Sequence, residues 1–252
     1  MMNFLGKIAR KIRFFSSRHG FVCDCCGGEV FGYPQKRFCQ DCQKKISRNN
    51  QLVCPKCGRK TRAVGVCLSC KDEVPAFEKG LSPFVYEKDC AALINRMKNG
   101  KRRLAYYFAE EMTEKLLAEY GDRMRTEKFL ITAVPMTSAR ERERGFNQAN
   151  DLADILAWEL EKKGFCVDLC LDVLQKRREG APQKRMDFHE RKQNVAGAYH
   201  VHKRKECRDK TIVLIDDIMT TGATGSECAA RLYGAGAKEV IFLVAAALPE
   251  LA

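Results

Sequence analysis

The fold of this chain is decided by one stretch, Thr211-Ile212-Val213-Leu214-Ile215-Asp216-Asp217-Ile218-Met219-Thr220-Thr221-Gly222-Ala223-Thr224. The apolar run at residues 212–215 predicts a buried strand of a parallel sheet, because such strands are covered on both faces. A loop of small and hydroxyl-bearing residues follows, and a helix is predicted from about residue 225 to residue 233. Because open α/β sheets bind ligands beyond the carboxyl ends of their strands, this loop is a candidate binding site.

The loop offers chemistry for the two ends of one ligand. Its backbone N–H groups and the positive end of the next helix dipole suit a phosphate, and Gly222 lets the backbone approach closely. Hydroxyl donors are available from Thr220, Thr221 and Thr224. The carboxylates of Asp216 and Asp217 are acceptors for sugar hydroxyls. The residues therefore predict a ribose 5-phosphate, and the alternative is a strand–loop–helix crossover without a ligand.

The two neighbouring carboxylates raise a question of geometry. Successive side chains of a strand point to opposite faces of the sheet. Asp216 and Asp217 therefore reach one ribose only if the strand ends or twists at Asp216.

Composition limits the class of protein. The chain has 252 residues, enough for one or two domains, and a formal net charge of +13 at pH 7. Two zinc sites with four thiolates each would leave roughly +9, which still favours polyanions such as nucleic acid, pyrophosphate or an anionic membrane. Residues 1–15 contain no continuous apolar run, and no apolar stretch of about 18 residues occurs, so we expect a cytoplasmic protein.

Eight of the 14 cysteines form C-x2-C pairs before residue 71. The pairs are Cys23/Cys26, Cys39/Cys42, Cys54/Cys57 and Cys67/Cys70. In a reducing compartment these spacings favour metal over disulfides, and two such knuckles complete one tetrahedral site, so we expect two structural zinc ions. We favour sequential pairing of the knuckles, with an interleaved arrangement as the alternative.

Basic residues surround the cysteine pairs. They are a candidate nucleic-acid surface, with a solvated basic face as the alternative. These residues are Lys44, Lys45, Arg48, Lys56, Arg59, Lys60 and Arg62.

The chain is divided by these patterns into three parts. Residues 1–20 are a basic amphipathic segment, for which we favour packing on the protein over membrane contact through residues 1–15. Residues 21–75 are a predicted double zinc ribbon, and residues 76–252 are a predicted α/β domain. Apolar runs at residues 129–134, 211–215 and 240–246 alternate with helical segments, which predicts a doubly wound, mostly parallel sheet.

Basic side chains flank the predicted site. The loop after residues 129–134 carries Arg140, Arg142 and Arg144, and arginines at a strand's carboxyl end suit a pyrophosphate group. A solvated helix with internal ion pairs is the alternative, and we prefer ligand binding most for Arg144. Lys98, at the end of an amphipathic segment, is a further candidate phosphate ligand.

A long polar segment, residues 176–194, has the composition of a mobile active-site lid. Closure of such a lid would bring Lys184, Arg185 or Arg191 onto a departing pyrophosphate. An ordinary connection between elements is the alternative.

Residues 212–224 resemble the phosphoribosyl-pyrophosphate (PRPP) signature of the type I phosphoribosyltransferases: four apolar residues, two acidic, two apolar, then Thr-Thr-Gly-x-Thr. From about residue 21 to its end, the chain resembles the ComF family. That resemblance is carried by the cysteine pairs and by residues 86–98, 134–135, 144–148, 182–183, 191, 194–195, 197 and 216–224. Ala196 departs from the family pattern, where arginine is frequent, and so does Tyr199, where phenylalanine is common.

The resemblance implies a protein that binds PRPP together with Mg²⁺ and serves DNA uptake in natural transformation. Asp216 and Asp217 would be the catalytic pair. The implied PRPP-binding residues are Asp216, Asp217, Thr220, Thr221, Gly222, Ala223, Thr224, Arg144 and Lys98.

Three functions remain compatible with this resemblance. The first is a phosphoribosyltransferase that acts on or near incoming single-stranded DNA. The second is a PRPP sensor that holds single-stranded DNA beside a DNA-uptake ATPase without catalysis, for which Tyr106-Tyr107-Phe108 is a candidate stacking platform. The third is a transferase for a small acceptor unrelated to competence.

Overall fold

The computed structural model describes residues 22–31, 37–177 and 195–250. The helices in this part of the chain are α1 Gln40–Lys45, α2 Leu68–Asp72, α3 Lys88–Lys98, α4 Leu104–Thr126, α5 Ser138–Arg144, α6 Gln148–Lys162, α7 Arg204–Cys207 and α8 Ala223–Tyr233. The strands are β1 Lys79–Leu81, β2 Phe84–Val85, β3 Phe129–Ala133, β4 Val167–Leu169, β5 Leu174–Lys176, β6 Tyr199–Val201, β7 Thr211–Met219 and β8 Glu239–Ala247. The basic amphipathic segment at residues 1–20 and the lid residues Lys184, Arg185 and Arg191 lie outside the described residues.

A parallel sheet forms the centre of the molecule. Its order is β1-β8-β7-β3-β4, and β2 pairs with the far end of β8. Each of these pairings is parallel, whereas β5 and β6 form a separate antiparallel pair. Helices cover both faces, so the predicted doubly wound, mostly parallel α/β fold is confirmed.

The two faces of the sheet carry two hydrophobic clusters. Val213 and Ile215 of β7 belong to the cluster that holds the apolar sides of α3, α4 and α6. Ile212 and Leu214 belong to the other cluster, which holds the apolar side of α8. We call these the α4 face and the α8 face. The period-2 alternation of β7 therefore separates the core into two halves.

Both strand and helix next to the candidate site are longer than predicted. β7 pairs with β8 as far as Met219, because β8 offers apolar partners through Ala247. The strand does not end at Asp216. Helix α8 starts at Ala223 because Gly222 has a positive φ of 86° and serves as its N-cap.

The cysteine-rich part packs against the sheet domain at both faces. Cys23 and Cys42 lie in the α4-face cluster, where Phe38 stacks on Tyr107 of α4 with ring centroids 3.9 Å apart. Cys54, Cys57, Cys67 and Cys70 lie in the α8-face cluster. Each cysteine group therefore shares a core with the sheet.

Two of the three rings in the aromatic run Tyr106-Tyr107-Phe108 are buried, and the half-buried ring of Tyr106 has the Arg37 guanidinium 4.4 Å from its centroid. Tyr107 and Phe108 are 5% and 0% exposed and pack against Phe84. Helix α4 turns these rings inward because the α4-face core needs large apolar side chains. The prediction of a platform here was wrong.

We expect Gly80→Ala to destabilise the fold. A Cβ at Gly80 of β1 would lie 2.3 Å from the main-chain oxygen of Cys57, so the cysteine-rich segment must move away from the strand. The expected loss is about 1–3 kcal/mol of unfolding free energy, the usual cost of overpacking. Urea denaturation measures it.

Gly121→Ala is the matched control, because it lies inside α4 and a Cβ there would meet nothing closer than 3.9 Å. That change is expected to stabilise by about 0.5–1 kcal/mol. Equal effects of the two variants would contradict the tight contact at Gly80.

Among the described residues, no helix has both the length and the apolar character needed to cross a membrane.

Candidate functional site

The acidic pair lies where β7 passes the carboxyl end of the neighbouring strand β3. The N–H of Asp217 donates to Oδ1 of Asp216 over 2.8 Å, and the two side chains lean to different faces of the sheet. Asp217 turns to the α4 face, where its Oδ2 lies 2.6 Å from Nζ of Lys98. Asp216 turns to the α8 face, where its charge adds to burial in raising the pKa of the Cys228 thiol. The strand does not bring both carboxylates to one face.

The electrostatics of the pair are unfavourable without a ligand. Burial, and then the neighbouring charge of Asp217, hold the pKa of Asp216 well above its usual range. Lys98 opposes this shift only in part. Ribose hydroxyls or a divalent cation would relieve the pair, and hard carboxylate oxygens are donors of the kind that Mg²⁺ prefers.

The threonine loop, residues 220–224, connects the acidic pair to α8. The hydroxyl of Thr221 accepts from the N–H of Ala223 over 3.3 Å, and Gly222 accepts the N–H of Ser226 over 2.8 Å. The side chains of Thr220, Thr221 and Thr224 are partly exposed. Backbone amides at the start of an eleven-residue helix and three hydroxyls are thus gathered beside the acidic pair.

The first basic candidate, Lys98, is already engaged. It is the last residue of α3 and is 22% exposed, while Asp217 is 6% exposed. A phosphate would therefore have to compete with Asp217 for Lys98.

We expect Lys98→Met to destabilise the protein by about 3 kcal/mol, because it leaves a buried carboxylate unpaired beside a second one. Asp217→Asn should cost less, since it removes the like charge and leaves a partly exposed lysine. Adding Asp217→Asn to Lys98→Met should restore most of the stability. The measurement is a double-mutant cycle by urea denaturation, with the exposed Lys101→Met as control. Additive effects in the cycle would contradict the ion pair.

The second basic candidate, Arg144, lies in helix α5. The segment that carries the three arginines is thus a helix, as the alternative interpretation held, and Arg140 and Arg142 are exposed on it. Arg144 Nη1 donates to Oε1 of Gln148 over 2.7 Å. Asn147 caps α6 through the N–H of Ala149 and donates from Nδ2 to the main-chain oxygen of Val134 over 3.2 Å. The Asn147 bonds therefore fix the start of α6 to the end of β3, where a ligand of the sheet would lie.

The cysteine pairs are gathered in sequential order. Cys23, Cys26, Cys39 and Cys42 form the first four-cysteine group, and Cys54, Cys57, Cys67 and Cys70 form the second. In each group the sulfur atoms lie within 4.8 Å of one another. Cys26 and Cys39 are 3.9 Å apart at Sγ, and Cys57 and Cys67 are 3.6 Å apart.

These separations fit a tetrahedral zinc ion, whose thiolates at about 2.3 Å from the metal lie about 3.8 Å from one another. The N–H of Cys39 points at Cys23 Sγ and that of Cys67 at Cys54 Sγ, over 3.3 and 3.4 Å. Such bonds stabilise thiolate ligands. Both groups could therefore hold a metal ion.

Arg59 connects the second group to the threonine loop, a role that the sequence did not predict. It is 5% exposed, and its Nη2 donates to the main-chain oxygen of Thr220 over 2.9 Å. The pKa of the Cys57 thiol is lowered to about 5, first by a hydrogen bond with Cys70. The positive charge of Arg59 and hydrogen bonds with Arg59 also lower this pKa. In the sequence, the only indication of this role was that Arg59 directly follows Gly58, the glycine after the third cysteine pair.

The expected basic surface is correspondingly smaller. Arg48 pairs with Glu111 over 2.7 Å, and Lys56 Nζ donates to the main-chain oxygen of Glu78 over 2.9 Å. With Arg59, three of the basic residues named above therefore have partners within the protein, although Arg48 is itself exposed. The other four, Lys44, Lys45, Lys60 and Arg62, are also exposed.

Comparison with known proteins agrees with this geometry. The family model described as "Phosphoribosyl transferase domain" matches residues 142–251. Competence protein ComFC of Bacillus subtilis (strain 168) is 26% identical over 199 residues, which cover 76% of this chain and 75% of the relative. Competence protein ComFC of Streptococcus pneumoniae is 28% identical, covering 81% and 84%. DNA utilization protein YhgH of Escherichia coli (strain K12) is 27% identical, covering 81% and 87%.

The sheet topology and the matched model define a protein with a phosphoribosyltransferase-type domain. The curated relatives span most of the chain. The chain is similar to proteins of the ComF family over most of its length, so the predicted resemblance is confirmed.

Proposed function

We propose that this chain binds PRPP with Mg²⁺ at the carboxyl end of β7 and transfers its phosphoribosyl group to an acceptor on or near single-stranded DNA during DNA uptake. One observation carries the proposal: an acidic pair directly precedes a threonine loop whose Gly222, at a φ of 86°, opens helix α8. The names of the relatives, which refer to competence and DNA utilization, support the process.

The residues would divide the substrate between them. The threonine loop would hold the 5-phosphate through its backbone amides and hydroxyls. Asp216 and Asp217 would accept hydrogen bonds from the ribose hydroxyls and so orient C1. Since the carboxylates lean to different faces, each would contact a different hydroxyl.

The transfer itself requires little covalent chemistry from the protein. A nucleophile of the acceptor forms a bond to C1, the bond from C1 to the pyrophosphate oxygen breaks, and pyrophosphate leaves with the electron pair. Mg²⁺ bound with PRPP would supply positive charge to the leaving pyrophosphate. Arg144 and the lid residues Lys184, Arg185 and Arg191 would add to that charge in the proposed site.

The zinc groups would have a structural role. Four thiolates would complete the coordination shell of each zinc ion and leave no position for a substrate. The exposed lysines and arginine of this region would contact the DNA backbone, and a DNA-uptake ATPase would be the neighbouring partner.

The test is pyrophosphate release from Mg-PRPP by the purified protein, with nucleobases, amines and single-stranded DNA offered in parallel. Release that depends on the acceptor, and that is lost when Asp216 and Asp217 are both asparagine, would establish the transferase. PRPP binding without release would favour the sensor and scaffold instead. Release with small acceptors alone would separate the activity from competence, and absence of PRPP binding would contradict the whole proposal.

A further inference from the structure

The second four-cysteine group lies directly beside the threonine loop. A cavity of about 140 Å³ separates them and is lined from one side by Cys57, Cys70 and Phe77 and from the other by Thr221 and Gly222. The two segments are therefore neighbours in space although they are far apart in sequence.

Arg59 reaches from the cysteine-rich segment to the first residue of the loop. Its guanidinium donates to the Thr220 oxygen over 2.9 Å across a sequence separation of 161 residues. At 5% exposure, the arginine has little solvent to replace that bond. The Thr220 carbonyl belongs to the peptide whose N–H is on Thr221, so the bond also sets the direction in which that N–H points.

The backbone around Arg59 has little freedom. The main-chain oxygen of Gly58 accepts from Nδ2 of Asn49 over 2.6 Å, and the N–H of Cys54 donates to the Arg59 oxygen over 2.9 Å. A Cβ at Gly58 would lie 2.2 Å from the Gly80 oxygen, so this turn is pressed against β1. The knuckle therefore holds the stem of Arg59 in place.

We propose that Arg59 is a positioning residue for the phosphate end of the site, and that it couples the second four-cysteine group to PRPP binding. This rests on the proposed function, in which the threonine loop holds the 5-phosphate. The metal group fixes the knuckle, the knuckle fixes Arg59, and Arg59 orients the amide that follows Thr220. Preorganised amides bind a phosphate better than amides that must first be ordered.

The experiment compares Arg59→Met with the wild type for binding of Mg-PRPP, ribose 5-phosphate and pyrophosphate, by calorimetry or competition. Met keeps the apolar stem and removes the donor. We expect about a 10-fold or greater loss of affinity for PRPP and for ribose 5-phosphate, because a hydrogen bond from a charged donor is removed. Pyrophosphate binding and zinc content should not change, and Arg59→Lys should recover part of the affinity.

Lys71→Met is the matched control, since it removes a positive charge from an exposed position of the same cysteine-rich segment, outside the surface proposed to contact DNA, and should bind PRPP as the wild type does. Unchanged PRPP affinity in Arg59→Met with zinc retained would overturn the inference, as would an equal loss for pyrophosphate. If Arg59→Met loses zinc or unfolds, Arg59→Lys becomes the deciding variant. Wild-type affinity of Arg59→Lys for ribose 5-phosphate would then overturn the inference. Weaker binding of PRPP and ribose 5-phosphate, with unchanged binding of pyrophosphate, would support it. A wild type that fails to bind PRPP refutes the proposed function instead.

Discussion

Asp216→Asn combined with Asp217→Asn is expected to abolish measurable PRPP binding while the protein stays folded. Each carboxylate would lose a charged hydrogen bond to a ribose hydroxyl, worth about 1.5–3 kcal/mol, so the pair accounts for roughly a 10²- to 10⁴-fold loss of affinity. Calorimetry with Mg-PRPP measures the loss. Folding should persist because the substitution removes two charges from a partly desolvated position where they repel each other.

The control for this variant also replaces two aspartates by asparagine, at positions away from the candidate site. Asp122 and Asp209 are exposed, and Asp209 has a positive φ of 57° that asparagine tolerates well. Asp122→Asn with Asp209→Asn should bind PRPP as the wild type does. If the Asp216/Asp217 variant also bound PRPP normally, the site would lie elsewhere in the molecule.

Loss of metal from the second four-cysteine group is expected to have the other large effect. Cys67 is 1% exposed inside the α8-face cluster, so Cys67→Ser would open a metal site within the core of the sheet domain. A structural zinc site contributes about 10–16 kcal/mol of apparent binding free energy, which is comparable to the whole stability of a domain. We expect loss of one zinc per chain, partial unfolding, and loss of PRPP binding together.

Cys26→Ser in the first group is the matched comparison. Cys26 is exposed, and its group contacts the α4 face rather than the threonine loop. It should also lose one zinc but retain most PRPP affinity. For both variants, metal analysis measures the zinc content, circular dichroism measures folding, and calorimetry measures PRPP affinity. Normal PRPP binding by Cys67→Ser with verified zinc loss would contradict the expectation.

Much of the architecture was predictable from local patterns. The apolar run of β7 and its acidic end identified the central strand and the candidate site, because a buried parallel strand has a characteristic composition. The cysteine spacings identified eight candidate ligands, because a knuckle is a local structure. The same patterns placed the end of β7 too early in the chain, because the pairing that extends this strand to Met219 is made with β8.

Side-chain direction was less predictable, and Tyr107 and Arg59 show why. Tyr107 lies in an aromatic run that suits a binding surface, and only the packing of Phe38 and Phe84 shows it to be buried. Arg59 lies in a basic run that suits a solvated face, and only the position of Thr220 shows it to be an internal donor. Both outcomes depend on partners that are distant in the chain.

Local patterns in the sequence were enough to predict the class of fold, the chemistry available at the end of β7, and two sets of candidate cysteine ligands. Each of these depends on periodicity or spacing within one short segment. Three-dimensional contacts were needed to show which knuckles come together, which face of the sheet each carboxylate occupies, and that Lys98 and Arg59 contact the candidate site from other elements. Those arrangements follow from contacts between segments far apart in sequence, which a local pattern does not contain.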